Sequence, residues 1–346
     1  MNRVYLDWNA TTPLCAEARA AMIAAMDVVG NPSSVHAEGR AAKKIIEAAR
    51  ADLAEAFGAA AADIIFTSSA SEAAALALNG QGVSCSGIEH DCIRAWCEED
   101  LDVSEGLVAP SNPGQSTLQA ANSETGVIQE LPEGLFLVDF VQAFGKRPIA
   151  FDWSGAARGI LSAHKISGPK GVGALVVRQG VEIKPQLRGG GQEMNRRAGT
   201  ENAIGIAGFA AAAKAAMTAL GDGASDAIAA KRDALEARLL ANAPRAIVIG
   251  AKVARLANTS AIAVPGWRGE TQVMQMDLAG FAISAGSACS SGKVRESHVL
   301  RSMGYDELTS ASAIRVSIGA TTTQSELDAF GDAWLRSYEK FEKRAA

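Results

Sequence analysis

The sequence lacks the features that mark several protein classes. No basic tract occurs in its 346 residues, whose formal net charge is −5, so we expect no nucleic acid partner. No apolar stretch approaches the roughly 18 residues that a membrane-spanning helix needs, so we expect no membrane association. The chain starts on a strand-like run without a basic start or an apolar segment, so we expect no secretory signal.

Cysteine is scarce, and its arrangement excludes two further classes. The five cysteines have spacings that match neither a zinc site nor a disulfide framework, so we expect no metal site. Reduced thiols predict a cytoplasmic protein, in which a cysteine with a chemical task acts as a thiolate. Cys289 has the most unusual surroundings, because residues 284–292 (SAGSACSSG) contain nothing large enough to bury it. Glycines on either side of it predict a mobile loop.

The residues that are present favour an α/β protein. Hydrophobic residues make up 48% of the chain, and short apolar runs alternate with helical stretches. Predicted strands cover residues 63–67, 135–139, 172–177, 247–250, 260–264 and 314–318. Predicted helices cover 204–220, 226–241, 271–278 and 325–343, while the polar segment 98–119 is predicted to be a loop. We predict a large α/β domain over residues 16–225 and a smaller α+β domain over 1–15 and 226–346, which carries the cysteine loop.

Two segments end a strand with polar residues, and each also has an ordinary structural interpretation. In TSSASEAAALAL (67–78), hydroxyl residues such as Ser71 open a helix, whose N-terminal N–H groups suit an anion. The alternative is an N-cap with Glu72 in the first turn. Asp139 ends the buried strand of VDFVQ, where α/β proteins bind ligands. The alternative is an aspartate that caps the next turn.

A lysine-containing segment has the composition of a Schiff-base site. SAHKISGPKGVG (162–173) brings a serine, a histidine and a lysine together ahead of a turn rich in glycine and proline. Lys165 and Lys170 both qualify, and we prefer Lys165 because it adjoins Ser162 and His164. The alternative is a lysine on the surface.

Arginine and glycine predict anion sites in two further segments. In RGGGQEMNRRAGTEN (188–202), Arg196, Arg197 and Thr200 suit an anion such as phosphate, and the alternative is a loop with solvated charges. Arg315 lies in the apolar strand IRVSIG, where it needs an anion. A substrate carboxylate and a structural ion pair are the two candidates for the partner of Arg315.

His90 could stack on a ligand or transfer protons, although a lone histidine is more often structural.

The order of these segments resembles one enzyme family nearly from end to end. The blocks YLDWNATTP, NPSSVHAEGRAA, IEH, ANSETGVIQ, VDFVQAFGK, SAHKISGPKGVGAL, GGGQE with RAGTEN, GSACSSG with SHVL, and IRVSIG follow in the order found in cysteine desulfurases. These are pyridoxal-phosphate enzymes of the class-V aminotransferase group with the type I fold. The resemblance implies a large mixed-sheet α/β domain plus a smaller α+β domain.

The resemblance also implies the roles of individual residues. Lys165 would carry pyridoxal 5′-phosphate, Asp139 would pair with its ring nitrogen, Gln142 would bond its ring oxygen, and His90 would lie over the ring and move protons. The residues that would hold the phosphate are Ala70, Ser71, Ser162 and His164, together with Thr200 from the other subunit of a homodimer. Arg315 would bind the substrate carboxylate, with Asn122 nearby, and Cys289 would be the nucleophile.

The implied activity converts L-cysteine to L-alanine and leaves the sulfur on Cys289 as a persulfide. A sulfur-acceptor protein would then receive it for the assembly of iron–sulfur clusters or other sulfur cofactors. The alternatives are a selenocysteine lyase, another class-V aminotransferase, and a sulfur carrier without turnover. Departures from the family pattern include Trp8, Ser69 with two alanines at 73 and 74, Phe140 with Val141, and a short segment between His90 and Asn122.

Overall fold

The computed structural model describes residues 3–286 and 296–345. The predicted mobility of the Cys289 loop therefore concerns residues outside the described ones. The strands are β1 Val4–Tyr5, β2 Ala62–Thr67, β3 Ser84–Ser86, β4 Glu98–Leu101, β5 Thr117–Gln119, β6 Leu137–Asp139, β7 Arg158–Ser162, β8 Gly173–Arg178, β9 Ile247–Val248, β10 Thr259–Ala263, β11 Phe281–Ala282, β12 Ser284–Ala285 and β13 Ala313–Ser317. The helices are α1 Ala16–Met26, α2 Ala37–Phe57, α3 Ala70–Leu78, α4 Asp91–Arg94, α5 Phe151–Ser154, α6 Ala203–Gly221, α7 Ala224–Asn242, α8 Gly269–Leu278, α9 His298–Ser302, α10 Glu307–Ser310 and α11 Gln324–Ala345.

The main sheet has the strand order β2-β8-β7-β6-β5. Strands β5, β6 and β7 are parallel, whereas β8 is antiparallel to both β7 and β2. Four strands therefore end at the same edge of the sheet, and β8 begins there. The mixed sheet that we predicted is confirmed. Polar residues at these strand ends lie close together for this reason.

The segment 98–119, predicted to be a loop, contains two strands. Strand β4 pairs in parallel with β3, and β5 forms one side of the main sheet through its pairing with β6. The prediction failed because β4 is a mostly exposed, acidic run and β5 is only three residues long. Neither has the apolar alternation that identifies a strand in a sequence.

A second sheet lies in the C-terminal part of the chain, with the antiparallel order β12-β13-β10-β9. Strand β1 pairs with β11, and Asp7 forms an isolated bridge with Ser317, so the first residues join this part. One core cluster combines Leu6 with apolar residues from Leu235 to Tyr338, whereas the largest cluster lies mostly between Ala18 and Ala213. This distribution agrees with the two predicted domains, whose bounds stay a prediction.

Helix α6 is long and apolar enough to cross a membrane by length and composition alone. Our expectation that no apolar stretch has this length is therefore wrong for Ala203–Gly221. The helix packs along α1 and α2, and Ile206, Phe209 and Ala213 are among its buried residues. Helices in protein cores have the same composition, so this helix is weak evidence for a membrane.

Candidate functional site

The polar strand ends of the main sheet surround a cavity of about 210 Å³. The cavity also receives side chains from β13 and from the segment after β1, so both parts of the chain contribute to it. Its lining includes nine of the sequence-predicted residues: Ala70, Ser71, His90, Asp139, Gln142, Ser162, His164, Lys165 and Arg315. Asn9, Ser69, Cys92, Gln119, Ala121, Ser123 and Val141 complete it.

Lys165 ends a short 3₁₀ turn that follows β7 directly. Its Nζ donates hydrogen bonds to the backbone carbonyls of Asn9, at 2.6 Å, and Ala10, at 2.8 Å. Lys165 also lines a second cavity of about 310 Å³. Lys170, the competing candidate, is exposed and lines neither cavity.

Asp139 is the last residue of β6 and is buried. Its Oδ1 accepts a hydrogen bond from the backbone N–H of Val141 at 2.8 Å, so the turn-capping interpretation is correct. Burial raises the pKa of Asp139, against the opposing effects of that N–H and of the charges on His90 and Lys165. The carboxyl group is therefore placed where a cationic partner in the cavity would be favoured.

The N-terminus of α3 forms one end of the cavity through Ala70 and Ser71. Ser69 is the N-cap and accepts a hydrogen bond from the backbone N–H of Glu72 at 3.2 Å. Glu72 in turn accepts from the backbone N–H of Ser68, the residue before the N-cap, at 2.7 Å. The N-cap interpretation is correct for Ser69, and it leaves the next two residues facing the cavity. The first N–H groups of a helix have no partner within it and suit an anion.

Gly173 allows this helix end to approach the sheet closely. A Cβ atom on Gly173 would lie 2.6 Å from the carbonyl carbon of Ser69 and 2.8 Å from the nitrogen of Ala70. Any side chain larger than hydrogen would displace the start of α3. Ser162, paired in register with Gly173, contributes its hydroxyl to the same end of the cavity.

Two histidines line the cavity, and each is held at Nδ1. His90 caps α4, with its Nδ1 accepting from the backbone N–H of Cys92 at 3.1 Å and lying 3.0 Å from the Cys92 thiol. His164 Nδ1 lies 3.2 Å from the hydroxyl of Thr11. Burial, followed by the charges of nearby lysines, lowers the pKa of His164 to about 4. His164 is therefore neutral at physiological pH and retains one ring N–H.

Arg315 reaches the cavity from β13 and has an anionic partner within the chain. Its Nη2 donates to Asp7 Oδ1 at 2.8 Å, and its Nη1 donates to the carbonyl of Ser123 at 3.0 Å. The structural ion pair that we considered is therefore present. The guanidinium is nevertheless buried, lines the cavity, and has an Nε with no hydrogen-bond partner among the described residues. A ligand carboxylate remains compatible with it.

Two of the predicted site residues that the structure describes, Asn122 and Thr200, do not line this cavity. Asn122 is buried beside it, where its Oδ1 accepts from the backbone N–H groups of Glu124 and Thr125 and its Nδ2 donates to the carbonyl of Ile88. Thr200 is exposed and lines a separate small cavity. Cys289 lies outside the described residues.

The arginines near Thr200 are paired with carboxylates of this chain. Arg196 pairs with Asp63 at 2.7 Å, and Arg197 pairs with Glu72 at 2.8 Å. The expectation that they meet an external anion therefore has no support in this arrangement, since each already has an acidic partner.

The sequence departures at 140, 141, 73 and 74 fall mostly in the core. Phe140 packs against other phenylalanines, with its ring centroid 5.0 Å from that of Phe57, and only Val141 lines the cavity. Ala73 and Ala74 are fully buried in another apolar cluster. Trp8 lies against Gly319, where an added Cβ would come within 2.1 Å of the indole ring.

Sequence reasoning missed several polar residues around the cavity. The backbone carbonyl of Asn9 accepts from both Lys165 and Gln142, and its Oδ1 accepts from Lys146. Two buried glutamates lie nearby, and burial is the main cause that raises the pKa of Glu89 well above its usual range and that of Glu124 to about 7. These residues belong to the blocks YLDWNATTP, VDFVQAFGK, IEH and ANSETGVIQ, and no individual feature of the sequence distinguished them.

Comparison with known proteins identifies the family. A family model described as aminotransferase class-V matches residues 4–93 and 104–330, with its interruption in the segment between His90 and Asn122. A cysteine desulfurase of Cereibacter sphaeroides is 39% identical and covers 95% of this chain and 94% of its own. Cysteine desulfurase 2 of Trichormus variabilis is 36% identical, with 95% and 91% covered.

Solved structures agree with this assignment. The X-ray structure of a NifS-like protein from Rickettsia africae matches with a TM-score of 0.88 and 32% identity, and covers 98% of this chain and 100% of its own. The similarity extends over the whole fold, which is the type I fold of pyridoxal-phosphate enzymes that the sequence predicted. The chain belongs to the class-V aminotransferase family and, within it, to the cysteine desulfurases.

Proposed function

We propose that this protein is a pyridoxal-phosphate-dependent cysteine desulfurase that converts L-cysteine to L-alanine and takes up the sulfur on Cys289. The observation that carries the proposal is the convergence of one lysine, one buried carboxyl group and one helix N-terminus on a single cavity. An amine that can bind a carbonyl group, an acid that can pair with a ring cation and a cradle for an anion are the groups that this chemistry needs.

The donor set of the cavity fits pyridoxal phosphate. Burial raises the pKa of Asp139. A ring cation in the cavity would stabilise the ionised form of this carboxyl group. The close packing of α3 on Gly173 places N–H groups and hydroxyls, including those of Ser71 and Ser162, where a phosphate would be held. His164 is neutral and can donate one ring N–H there. Lys165 would hold the cofactor. When bound, the cofactor supplies an electron sink for the charge left on the substrate Cα.

The residues of the chain then have separate tasks. Once the substrate amine has replaced it on the cofactor, the freed Lys165 amine would take the proton from the substrate Cα, and its place directly after β7 positions it for this. Arg315 binds the substrate carboxylate, and its Asp7 partner fixes the guanidinium plane. His90 lies in the cavity wall, where it can transfer protons to and from the substrate.

The sulfur transfer belongs to Cys289. Its thiolate attacks the substrate sulfur, so an S–S bond forms while the substrate C–S bond breaks. The electron pair of the broken bond goes to carbon, which takes up a proton on the way to alanine. A second thiolate, on an acceptor protein, can then attack the persulfide and receive its outer sulfur.

The test is to supply L-cysteine to the cofactor-loaded protein and to measure alanine and sulfide together. Equal amounts of alanine and released or bound sulfur are expected. A Cys289→Ser variant should keep the cofactor absorbance but lose both products. Native turnover in that variant would contradict the sulfur step, and a protein that binds the cofactor yet forms no alanine from cysteine would contradict the activity. Faster reaction of selenocysteine than of cysteine would point to a selenocysteine lyase instead.

We also propose that the protein works as a homodimer. Ile23, Met26, Val29 and Val35 are large apolar side chains that are more than half exposed around one helix end and the loop after it. The same loop approaches the segment before Thr200 through a contact of 3.5 Å between Ser33 and Gln192. A second copy that covers this surface would bury the apolar side chains and bring an exposed Thr200 to another subunit.

The sulfur acceptor and the location complete the proposal. Iron–sulfur cluster assembly, or the assembly of another sulfur cofactor, is the process that would use a persulfide of this kind. The four described cysteines are free thiols, which supports a reducing compartment such as the cytoplasm.

A further inference from the structure

Lys146 is a second lysine at the catalytic centre that the proposed reaction does not use. It lies at the end of the turn that follows β6, lines the larger cavity together with Lys165, and is partly buried. Among the residues that the structure describes, it forms no ion pair. Its Nζ donates instead to two amide oxygens, Gln142 Oε1 at 2.5 Å and Asn9 Oδ1 at 3.2 Å. A lysine that donates to amide side chains, and not to a carboxylate, can orient those side chains.

These contacts fix the orientation of the Gln142 amide from both sides. The Gln142 Nε2 lies 3.0 Å from the backbone carbonyl of Asn9, which can only accept a hydrogen bond. The atom that faces Lys146 must therefore be the amide oxygen. An ammonium group has only N–H donors, so it requires the same orientation. The amide nitrogen carries two hydrogens, of which the Asn9 carbonyl takes one. The second is left for a ligand in the cavity, which Gln142 lines.

We propose that Lys146 is a positioning residue that holds Gln142 with an N–H toward the ring oxygen of the bound cofactor. This inference rests on the proposed function, because it takes Gln142 to be a cofactor ligand. Without Lys146, the Gln142 Oε1 loses its donor, and the amide can rotate or draw in water. The hydrogen bond to the cofactor would then be made only part of the time.

The positive charges near Lys146 do not prevent it from holding Gln142. The charges of Lys165 and Arg315 act on Lys146, and the charge of Lys146 acts on His164. Burial, then the charges of Lys165 and Arg315, lower the pKa of Lys146 well below its usual range. A neutral amine still has two N–H groups, which is the number that its two oxygen acceptors need. Both hydrogen bonds therefore survive the loss of the charge.

The test uses absorbance and binding of the cofactor, neither of which requires desulfurase turnover. Lys146→Met removes the donors at nearly constant volume, while Lys146→Gln removes the charge and keeps an N–H donor. Lys170→Met is the matched control, because it removes an exposed lysine close in sequence. Each protein is titrated with pyridoxal phosphate, and the absorption maximum of the bound cofactor is recorded from pH 6 to pH 9.

We expect Lys146→Met to shift the absorption band and to weaken cofactor binding roughly three- to tenfold, the size of one lost hydrogen bond. Lys146→Gln should lie closer to the native protein, and Lys170→Met should be unchanged. In a Gln142→Leu background, Lys146→Met should have no further effect, because it acts through the residue already removed. Additive effects of these two substitutions, or a native spectrum in Lys146→Met, would overturn the proposal.

The outcomes separate this inference from the proposed function. If the spectral shift and the non-additivity appear but no alanine is formed from cysteine, the positioning role stands and the activity is wrong. If alanine is formed and Lys146→Met keeps the native spectrum and affinity, the activity stands and the positioning role is wrong. Should Lys146→Met fail to fold, Lys146→Ala, made alone and in the Gln142→Leu background, supplies the same comparison, because it also removes the Nζ donors.

Discussion

Glu124 makes the stability of this protein dependent on pH in a direction that can be worked out. Its carboxyl group is buried and accepts a hydrogen bond from the Ser297 hydroxyl at 2.6 Å. Burial raises its pKa from 4.5 to about 7, although Ser297 and Arg315 oppose the rise. The folded protein therefore keeps a proton on Glu124 that the unfolded chain loses above about pH 4.5. This contribution to stability is fully present below that pH and is lost as the pH rises to about 7.

The size follows from the two pKa values. A shift of one pKa unit corresponds to about 1.4 kcal/mol, so the whole change is about 3 kcal/mol, of which about 2.5 kcal/mol falls between pH 5 and pH 8. Glu124→Gln keeps the shape of the side chain and removes the titration. We expect the stability of this variant relative to the native protein to rise by about that amount over this range.

The assay is urea unfolding of cofactor-saturated protein at intervals between pH 5 and pH 8, for the native chain and Glu124→Gln. Taking the difference at each pH cancels the other titrating groups, including Glu89 and Asp139, which are the same in both proteins. Glu130→Gln is the control, because Glu130 is exposed, and it should give a difference that is flat with pH. A flat difference for Glu124→Gln as well, or one that falls with pH, would refute the reasoning about burial.

Two further substitutions test packing and buried charge through thermal or urea unfolding. Gly319→Ala should destabilise the fold by about 1–3 kcal/mol, since the new methyl group meets the ring of Trp8 at 2.1 Å. The cost should shrink in a Trp8→Asn background, and an equal cost there would contradict the clash. Glu236→Ala should cost about 3–5 kcal/mol, because it removes the carboxylate partner, 2.8 Å away, of the Arg255 side chain, which is only 9% exposed. Asp52→Ala, which breaks an exposed pair, should cost less than about 1 kcal/mol, and equal losses would contradict the role of burial.

The sequence predicted long helices and buried strands well, because their signal is local. The helix predicted over 204–220 occurs at Ala203–Gly221, and the strand predicted over 63–67 occurs at Ala62–Thr67. The sequence signal for a strand was weak where the strand forms because of its pairing with a neighbour and not because of its own composition. Thr117–Gln119 is a strand because β6 lies beside it, and no run of three residues could reveal this neighbour.

The same distinction applies to the candidate site. Lys165 and Asp139 were candidates from their own segments, whereas Gln142 was identified only because the order of the blocks carries a family resemblance. Asn9 and Lys146 were missed, although both contact Gln142, because their role lies in hydrogen bonds between segments 137 residues apart. A single sequence contains no record of such a contact. The resemblance placed Asn122 near the substrate, and the structure shows that its Oδ1 accepts hydrogen bonds from the backbone beside the site, while its role toward a substrate stays a prediction.

Several residues cap a turn or a helix and also border the cavity. The two roles are compatible because they use different atoms of the same residue. Asp139 caps its turn with Oδ1 and still borders the cavity. Ser69 caps helix α3, and this cap fixes the direction in which Ser71 faces. His90 caps α4 with Nδ1, which sets the plane of its ring. A side chain whose capping bond is already made has fewer orientations to lose when a ligand binds, so such caps reduce the entropic cost of assembling the site. Capping contacts at strand and helix ends are therefore part of how this fold prepares the candidate site.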